Sequence, residues 1–178
     1  ATGLPNPQHY STAQDLAILA SAIIRDFPDY HPLYALKEYR YNNITQANRN
    51  RLLWTDPTVD GMKTGYTENA GYCLIASAKH GERRLISVVL GATSEAGRAV
   101  ESQKLLNFGF QYYDSVKLYG KSQPVANLPV WKGTSRAVGA GFLNDLYVSV
   151  PKGQAGKVKA QLEGRQPLLA PVAEGQRI

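Results

Sequence analysis

The sequence predicts an α+β protein in which an antiparallel sheet is flanked by helices and followed by a small, incomplete all-β domain. Two apolar segments, 71–79 and 83–91, are joined by a tight turn at His80 and Gly81, as in a β-hairpin. Segments of helical periodicity lie on both sides of this hairpin, and short β-like stretches alternate with turn residues after Gly120. The 178 residues are enough for one domain and a small second unit.

Two helices are predicted on either side of the hairpin. The first begins at Ser11, which forms a capping box with Gln14, and ends before Pro28. The second spans residues 95–113 and has Glu95 in its first turn, where a negative charge complements the helix dipole. The apolar stripes of both helices are interpreted as core-facing surfaces.

Three strands are predicted for the main sheet. Residues 59–67 form a short strand that contains glycines, and the hairpin adds two more. Both hairpin strands are almost continuously apolar, so helices are expected to cover both faces of the sheet. Residues 43–54 are rich in Asn and Gln and are predicted to be a long structured loop that buries its apolar end.

Composition excludes several classes of function. The single cysteine, Cys73, excludes a disulfide framework and a cysteine zinc site within the chain. The three histidines are widely spaced, which argues against a histidine metal cluster. The longest apolar run, 16–24, is interrupted by a serine and is too short to cross a bilayer.

The net charge of +6 is concentrated near the C-terminus. Residues 121–178 carry eight Lys and Arg against three Asp and Glu, a balance of 8 − 3 = +5. This balance supports an alternative function, a non-enzymatic basic β-rich module that binds at the cell envelope to a membrane surface, a protein or nucleic acid. Nucleic acid is disfavoured because the module offers few aromatic side chains for stacking on bases, namely Trp131, Phe142 and Tyr147.

The triplet Lys63, Thr64 and Gly65 carries the most informative chemistry, because it lies in the predicted strand 59–67. An ammonium beside a hydroxyl binds a carboxylate through charge-assisted hydrogen bonds. A glycine in a strand lets another main chain approach closely. A triplet alone is a weak signal, and a surface lysine beside a glycine turn is the simpler interpretation of it.

The wider sequence resembles the low-molecular-mass penicillin-binding proteins, specifically the D-alanyl-D-alanine carboxypeptidases, in which Lys-Thr-Gly is the third signature motif. The resemblance implies a partial penicillin-binding, β-lactamase-like transpeptidase fold. Residues 1–116 would be the C-terminal part of the catalytic domain, and residues 117–178 the small β-rich domain. The β-rich domain favours a carboxypeptidase over a β-lactamase. The matching segments are 10–16, 43–54, 59–65, 70–77, 84–91, 101–110, 129–131 and 146–152.

The resemblance implies a serine-type enzyme that removes the terminal D-alanine of peptidoglycan stem peptides through an acyl-enzyme and binds penicillin. It implies no metal and no cofactor. Its partners would be a stem peptide or a β-lactam and, in the full-length protein, the membrane surface, but no nucleic acid. Its location would be the periplasm or the outer face of the cytoplasmic membrane.

The same resemblance implies a set of substrate-binding residues. Tyr66 would contribute its main-chain N–H to the oxyanion hole. Thr67 would contact substrate or cap a turn, while Arg98 and Arg49 would be cations near the carboxylate or members of structural ion pairs. The implied set is Lys63, Thr64, Gly65, Tyr66, Thr67, Arg98 and Arg49.

The motif for the nucleophile is not recognised within these residues. The one Ser-x-x-Lys, from Ser149 to Lys152, contains Pro151 and lies in the β-rich region, and no Ser-x-Asn occurs. We therefore expect the nucleophile and the base to lie upstream of the sequence. The chain alone is expected to be inactive, and a missing N-terminal segment would be a partner.

Overall fold

The computed structural model describes residues 5–159, 161–164 and 166–178. They form two compact units, which are separated in the sequence between Gln111 and Tyr112. The first unit combines helices with an antiparallel sheet, and the second is built from short strands. This α+β architecture confirms the fold class predicted from the sequence.

Helix α1 spans Ala13–Asp26 and is capped by Thr12, not by Ser11 as predicted. The Thr12 hydroxyl accepts a hydrogen bond from the Asp15 main-chain N–H at 3.1 Å and donates one to the Asp15 carboxylate at 2.9 Å. Both Ser11 and Thr12 have a suitable residue three positions later. An acidic residue in the first turn, Asp15, also complements the helix dipole, which Gln14 does not. The helix ends before Pro28, as predicted.

A β-hairpin lies between α1 and the main sheet. A 3₁₀ helix, His31–Ala35, precedes strands β1 (Glu38–Tyr41) and β2 (Ile44–Ala47), which pair antiparallel. The prediction of a loop over 43–54 is therefore wrong at its start. Its apolar end is buried as expected, because the short helix α2, Leu52–Thr55, places Leu52 and Leu53 in the core.

The main sheet has the strand order β3-β4-β5, with antiparallel pairing throughout. Its strands are β3 (Val59–Thr67), β4 (Gly71–His80) and β5 (Arg83–Ala92), which agrees with the predicted segments. Helix α1 contacts β5 and β4, and the 3₁₀ helix contacts β3. The central core of the unit contains Leu52, Leu53, Val59, Leu74, Ala76, Ala78 and Leu106.

Helix α3, Glu95–Tyr112, presents a narrow stripe to the interior. Its buried residues are Arg98, Ser102 and Leu106, spaced four apart on one face. Gly109 allows close packing, since a Cβ there would lie 2.6 Å from Cδ1 of Leu85. No helix in the described part of the chain is long and apolar enough to span a membrane.

The second unit consists of two small sheets. Strand β6 (Tyr113–Tyr119) pairs with β9 (Leu146–Pro151), and β7 (Pro124–Trp131) is flanked by β8 (Ala137–Gly141) and β10 (Leu168–Leu169). All of these pairs are antiparallel except that between β10 and β7. This arrangement confirms the predicted all-β character of the region.

Strand β5 has one neighbour within the described residues, β4, so its other edge is open to further pairing. We predict that a polypeptide of these 178 residues self-associates through β5. Replacing Leu90, which is 43% exposed, by lysine should raise the monomer fraction in sedimentation velocity, because a charge on an edge strand opposes strand addition.

Leu105→Lys is the matched control, since Leu105 is 49% exposed but lies on α3. It should leave self-association unchanged. A wild-type chain that sediments as a monomer at every concentration, and melts cooperatively, would contradict this prediction.

Candidate functional site

The Lys-Thr-Gly triplet lies near the end of β3, which is an edge strand of the main sheet within the described residues. Lys63, Gly65 and Tyr66 are exposed, and Thr64 is partly buried opposite Leu74 of β4. Successive side chains of a strand point to opposite faces, so Thr64 and Tyr66 share one face and Lys63 lies on the other. The strand therefore presents an ammonium and a hydroxyl beside an open edge.

The Lys63 ammonium donates a hydrogen bond to the main-chain carbonyl of Thr64. None of the ion pairs among the described residues includes Lys63. Its positive charge is thus not neutralised by a protein carboxylate within that part of the chain. An anionic ligand at the edge of β3 would find this charge available.

Arg98 is buried, with 3% of its surface exposed, and its guanidinium bridges two carbonyl groups. Nη1 donates to the Gly65 carbonyl and Nη2 to the Arg49 carbonyl, each at 3.3 Å. The guanidinium also lies 5.5 Å from the centre of the Tyr72 ring, and Glu95 is 3.8 Å from Nη2. Arg98 therefore ties the segment that carries Arg49 to the strand that carries Lys63.

The Arg49 segment is held from both sides by asparagines. The Asn48 amide donates to the Leu36 carbonyl at 2.9 Å, and its oxygen accepts from the Asn50 main-chain N–H at 2.9 Å. The side chain of Arg49 itself is exposed. A second cation thus projects from a fixed main chain that Arg98 joins to β3.

Tyr66 and Thr67 have separate local roles. The Tyr66 ring packs on the Tyr72 ring with 4.3 Å between centroids, and both border a surface cavity at the β3–β4 turn. The Thr67 hydroxyl accepts a hydrogen bond from the Ala70 main-chain N–H at 3.0 Å. The sequence suggested that Thr67 contacts substrate or caps a turn, and this bond is the one expected for a turn cap.

A polar cluster that sequence reasoning missed lies at the start of β3. Arg84 donates to the Asp60 carboxylate at 2.6 Å and also to the Ser77 hydroxyl, and His31 Nε2 lies 3.7 Å from Asp60. Burial raises the pKa of Asp60, but hydrogen bonds and the neighbouring positive charge outweigh it, so the net pKa is lowered. Burial lowers the pKa of His31, and the negative charge of Asp60 opposes this lowering only in part. Asp60 is therefore anionic and His31 neutral at pH 7.

The remaining candidates for chemistry, Ser149 and Cys73, belong to different units. Ser149 lies within strand β9 opposite Ser115, so its Ser-x-x-Lys is not at a helix start, in agreement with its rejection. Cys73 is partly buried directly across from Gly65. Among the residues that the structure describes, no group of three His, Cys, Asp or Glu side chains is arranged to hold a metal ion.

Comparison with known proteins identifies the family of the chain. The family model described as D-alanyl-D-alanine carboxypeptidase matches residues 1–94, more than half of the chain. The chain belongs to the D-alanyl-D-alanine carboxypeptidase family. A model described as the C-terminal domain of penicillin-binding protein 5 matches residues 113–178. The resemblance stated from the sequence is thereby confirmed.

Several members of this family are similar over almost the whole chain. D-alanyl-D-alanine carboxypeptidase DacA of Haemophilus influenzae is 44% identical over 180 residues, which cover 99% of this chain and 46% of the relative. The DacA protein of Escherichia coli is 41% identical over 176 residues, 98% of this chain and 44% of the relative. The chain thus spans somewhat less than half the length of these curated relatives.

Solved structures of the family are similar to this chain in fold. Penicillin binding protein 5 of Haemophilus influenzae has a TM-score of 0.87 and 43% identity, covering 97% of this chain and 51% of its own. Penicillin-binding protein D2 of Listeria monocytogenes, solved in its ampicillin-bound form, has a TM-score of 0.57 and 33% identity. It covers 62% of this chain and 46% of its own length.

The buried position of Arg98 generates a stability prediction for this carboxypeptidase-family chain. Arg98→Met keeps the aliphatic stem but removes the donors to Gly65 and Arg49. We expect the free energy of unfolding in urea to fall by about 2–3 kcal/mol, since hydrogen bonds from charged groups contribute about 1.5–3 kcal/mol each and relief of desolvation offsets part of the loss.

Arg51→Met is the control, because Arg51 is exposed and contacts the same Glu95 at 3.4 Å. It should change the free energy of unfolding by less than about 1 kcal/mol. Equal small effects of the two substitutions would show that the Arg98 bridge does not stabilise the unit.

Proposed function

We propose that this chain supplies the substrate-binding edge of a serine-type D-alanyl-D-alanine carboxypeptidase that trims the terminal D-alanine from peptidoglycan stem peptides. The observation that carries the proposal is the exposed Lys-Thr-Gly segment on an edge strand, with a lysine that no protein carboxylate neutralises in the described residues. The names of the relatives support the same activity.

The substrate would bind as an additional antiparallel strand along β3. Its terminal carboxylate would accept hydrogen bonds from the Lys63 ammonium and the Thr64 hydroxyl, with Arg49 as a further cation held in place through Arg98. Gly65 offers no side chain to obstruct the approach of the peptide. Tyr66 would donate its main-chain N–H to the carbonyl oxygen that becomes negative during attack, and Thr67 would maintain the adjoining turn.

The chemical step requires a serine that these residues do not place at the strand. Its oxygen would bond to the carbonyl carbon of the penultimate residue while the bond to the terminal nitrogen breaks, and the released D-alanine would take up the proton. Water would then hydrolyse the acyl-enzyme. A β-lactam carries a comparable carboxylate and carbonyl, so we include it as a ligand. The ampicillin-bound Listeria relative supports this inclusion.

The setting of the reaction follows from its substrate. Peptidoglycan lies outside the cytoplasm, so we propose a location in the periplasm or on the outer face of the cytoplasmic membrane. The membrane surface would be a partner of the whole protein, and an N-terminal segment with the nucleophile would be a partner of this chain. The first unit would contribute the C-terminal part of the catalytic domain, and the second unit the small β-rich domain.

Peptide binding tests the role of the edge strand. We predict that an N-acylated tripeptide ending in D-Ala-D-Ala shifts the amide resonances of residues 63–67 in ¹⁵N-labelled protein. Lys63→Ala should weaken binding about tenfold, the loss of roughly 1.4 kcal/mol expected for an exposed charge-assisted hydrogen bond. Lys79→Ala, which removes another exposed lysine from the same sheet, should bind normally.

The same tripeptide with a C-terminal amide separates carboxylate recognition from general strand addition. It should bind at least as weakly to the wild-type chain as the acid binds to Lys63→Ala. The proposed role of Lys63 would be wrong if the wild type bound the tripeptide acid and its amide equally well. It would also be wrong if Lys63→Ala and Lys79→Ala bound the acid equally well.

Acylation tests the placement of the nucleophile. We predict that a polypeptide of these 178 residues forms no stable penicilloyl adduct when incubated with benzylpenicillin, because its one Ser-x-x-Lys begins in strand β9 and not at a helix start. Intact-mass spectrometry measures this directly, and Haemophilus influenzae DacA serves as the positive control. A stoichiometric adduct on this chain would place the nucleophile within it and overturn the prediction.

A further inference from the structure

Asn50 is a polar side chain at the centre of the first unit that no role in binding or chemistry has yet explained. Only 1% of its surface is exposed. Its amide nitrogen donates to the Gly61 carbonyl at 2.9 Å, and its amide oxygen accepts from the Leu52 main-chain N–H at 3.2 Å. Both polar atoms of the carboxamide are therefore engaged with main chain, one in β3 and one in α2.

The bond to Gly61 lies next to an irregularity in the pairing of β3 with β4. The pairing of β3 with β4 is regular from Gly61 to Thr67, but its register shifts between Val59 and Gly61. A register shift of this kind interrupts the ladder and changes the direction of a strand. The Asn50 amide binds the first residue after the shift, two positions before Lys63. The Asn50 amide thus holds the main chain of β3 just before Lys63.

Arg49, the neighbour of Asn50 in sequence, is held by bonds on either side of it. The Asn50 main-chain N–H donates to Asn48, while the Arg49 carbonyl accepts from Arg98. Arg98 in turn binds the Gly65 carbonyl. Asn50 and Arg98 therefore link the Arg49 segment to β3 at two places, one on each side of Lys63 and Thr64.

We infer that Asn50 is a positioning residue that, by binding the Gly61 carbonyl, holds the β3 segment in the position from which the Lys63 ammonium binds the terminal carboxylate of a peptide. This inference rests on the proposed function. The Asn50 side chain acts through main-chain atoms of Gly61 and Leu52 and does not touch the substrate. An amide is suited to this place because it donates to one carbonyl and accepts from one N–H without adding a charge to the interior.

The test uses Asn50→Asp in the 178-residue chain. Aspartate has the same shape, but at pH 7 its carboxylate cannot donate to the Gly61 carbonyl. We expect binding of the D-Ala-D-Ala tripeptide to weaken about tenfold and the Lys63 amide to exchange with solvent about tenfold faster. Leu106→Ala is the control, since it destabilises the core of the same unit without removing either hydrogen bond of the Asn50 side chain. Its folded fraction should bind the peptide as the wild type does.

Acidification gives a readout that general destabilisation does not. Burial raises the pKa of a carboxyl group, and the protonated carboxyl group of the Asn50→Asp variant would again donate to the Gly61 carbonyl. Affinity of Asn50→Asp relative to wild type should therefore recover between pH 7 and pH 5, while the peptide carboxylate stays ionised. General stability changes in the opposite sense in both chains: the lowered pKa of His31 means that the unfolded form takes up a proton first, so the free energy of unfolding falls as the pH falls.

Three outcomes decide the inference. A loss of affinity no greater than that of Leu106→Ala, or no recovery at pH 5, overturns it. If the wild type binds no peptide, the proposed function fails, and faster exchange of the Lys63 amide still supports control of β3 by Asn50. Asn50→Ala, which adds no charge, supplies the same comparison at pH 7 if Asn50→Asp does not fold there, and it should show no recovery on acidification.

Discussion

The first unit depends on the bridge that Arg98 forms between two carbonyl groups from distant parts of the chain. A buried guanidinium is costly unless its donors are used, and here the Gly65 and Arg49 carbonyls, the Tyr72 ring and the nearby Glu95 compensate its charge. The bridge draws the segment with Arg49 beside β3. Lys63 and Arg49 are exposed, whereas the third positive side chain, Arg98, is buried and binds only main-chain carbonyls and neighbouring groups of the protein.

This arrangement explains how the main chain of β3 is held in place although one edge of the strand is unpaired within the described residues. An unpaired strand edge has no outer ladder to hold it. On one side β3 is held by β4, and at its two ends it is held by side chains that bind its main chain, Asn50 at Gly61 and Arg98 at Gly65. A peptide that adds to such an edge does not have to order it first, which reduces the entropic cost of binding.

The sequence predicted the parts of this arrangement that depend on local pattern. Strands β3, β4 and β5, both long helices and the end of α1 before Pro28 follow from apolar period, turn residues and proline. The hairpin over 38–47 was missed, although Asn42 and Asn43, with φ of 46° and 60°, are the kind of pair that a two-residue hairpin turn favours. The first strand alternates charged residues with Tyr39 and Tyr41, but each strand has only four residues and all of them are exposed, so no apolar face distinguishes the hairpin from a loop.

The roles of Asn50 and Arg98 could not be derived from pattern, because each depends on carbonyl groups that lie 11 to 49 residues away in sequence. Sequence reasoning selects Lys63 and Thr64 since the chemistry of a carboxylate site requires those groups. It does not indicate which main-chain oxygen a buried donor will reach. The residues that bind a ligand are thus recognisable by type, whereas the residues that set their spacing are defined by contacts formed only after the chain has folded. In β3 these contacts are made at Gly61 and Gly65, by Asn50 and Arg98. The geometry of the site therefore depends on side chains from other elements of the first unit and not on β3 alone.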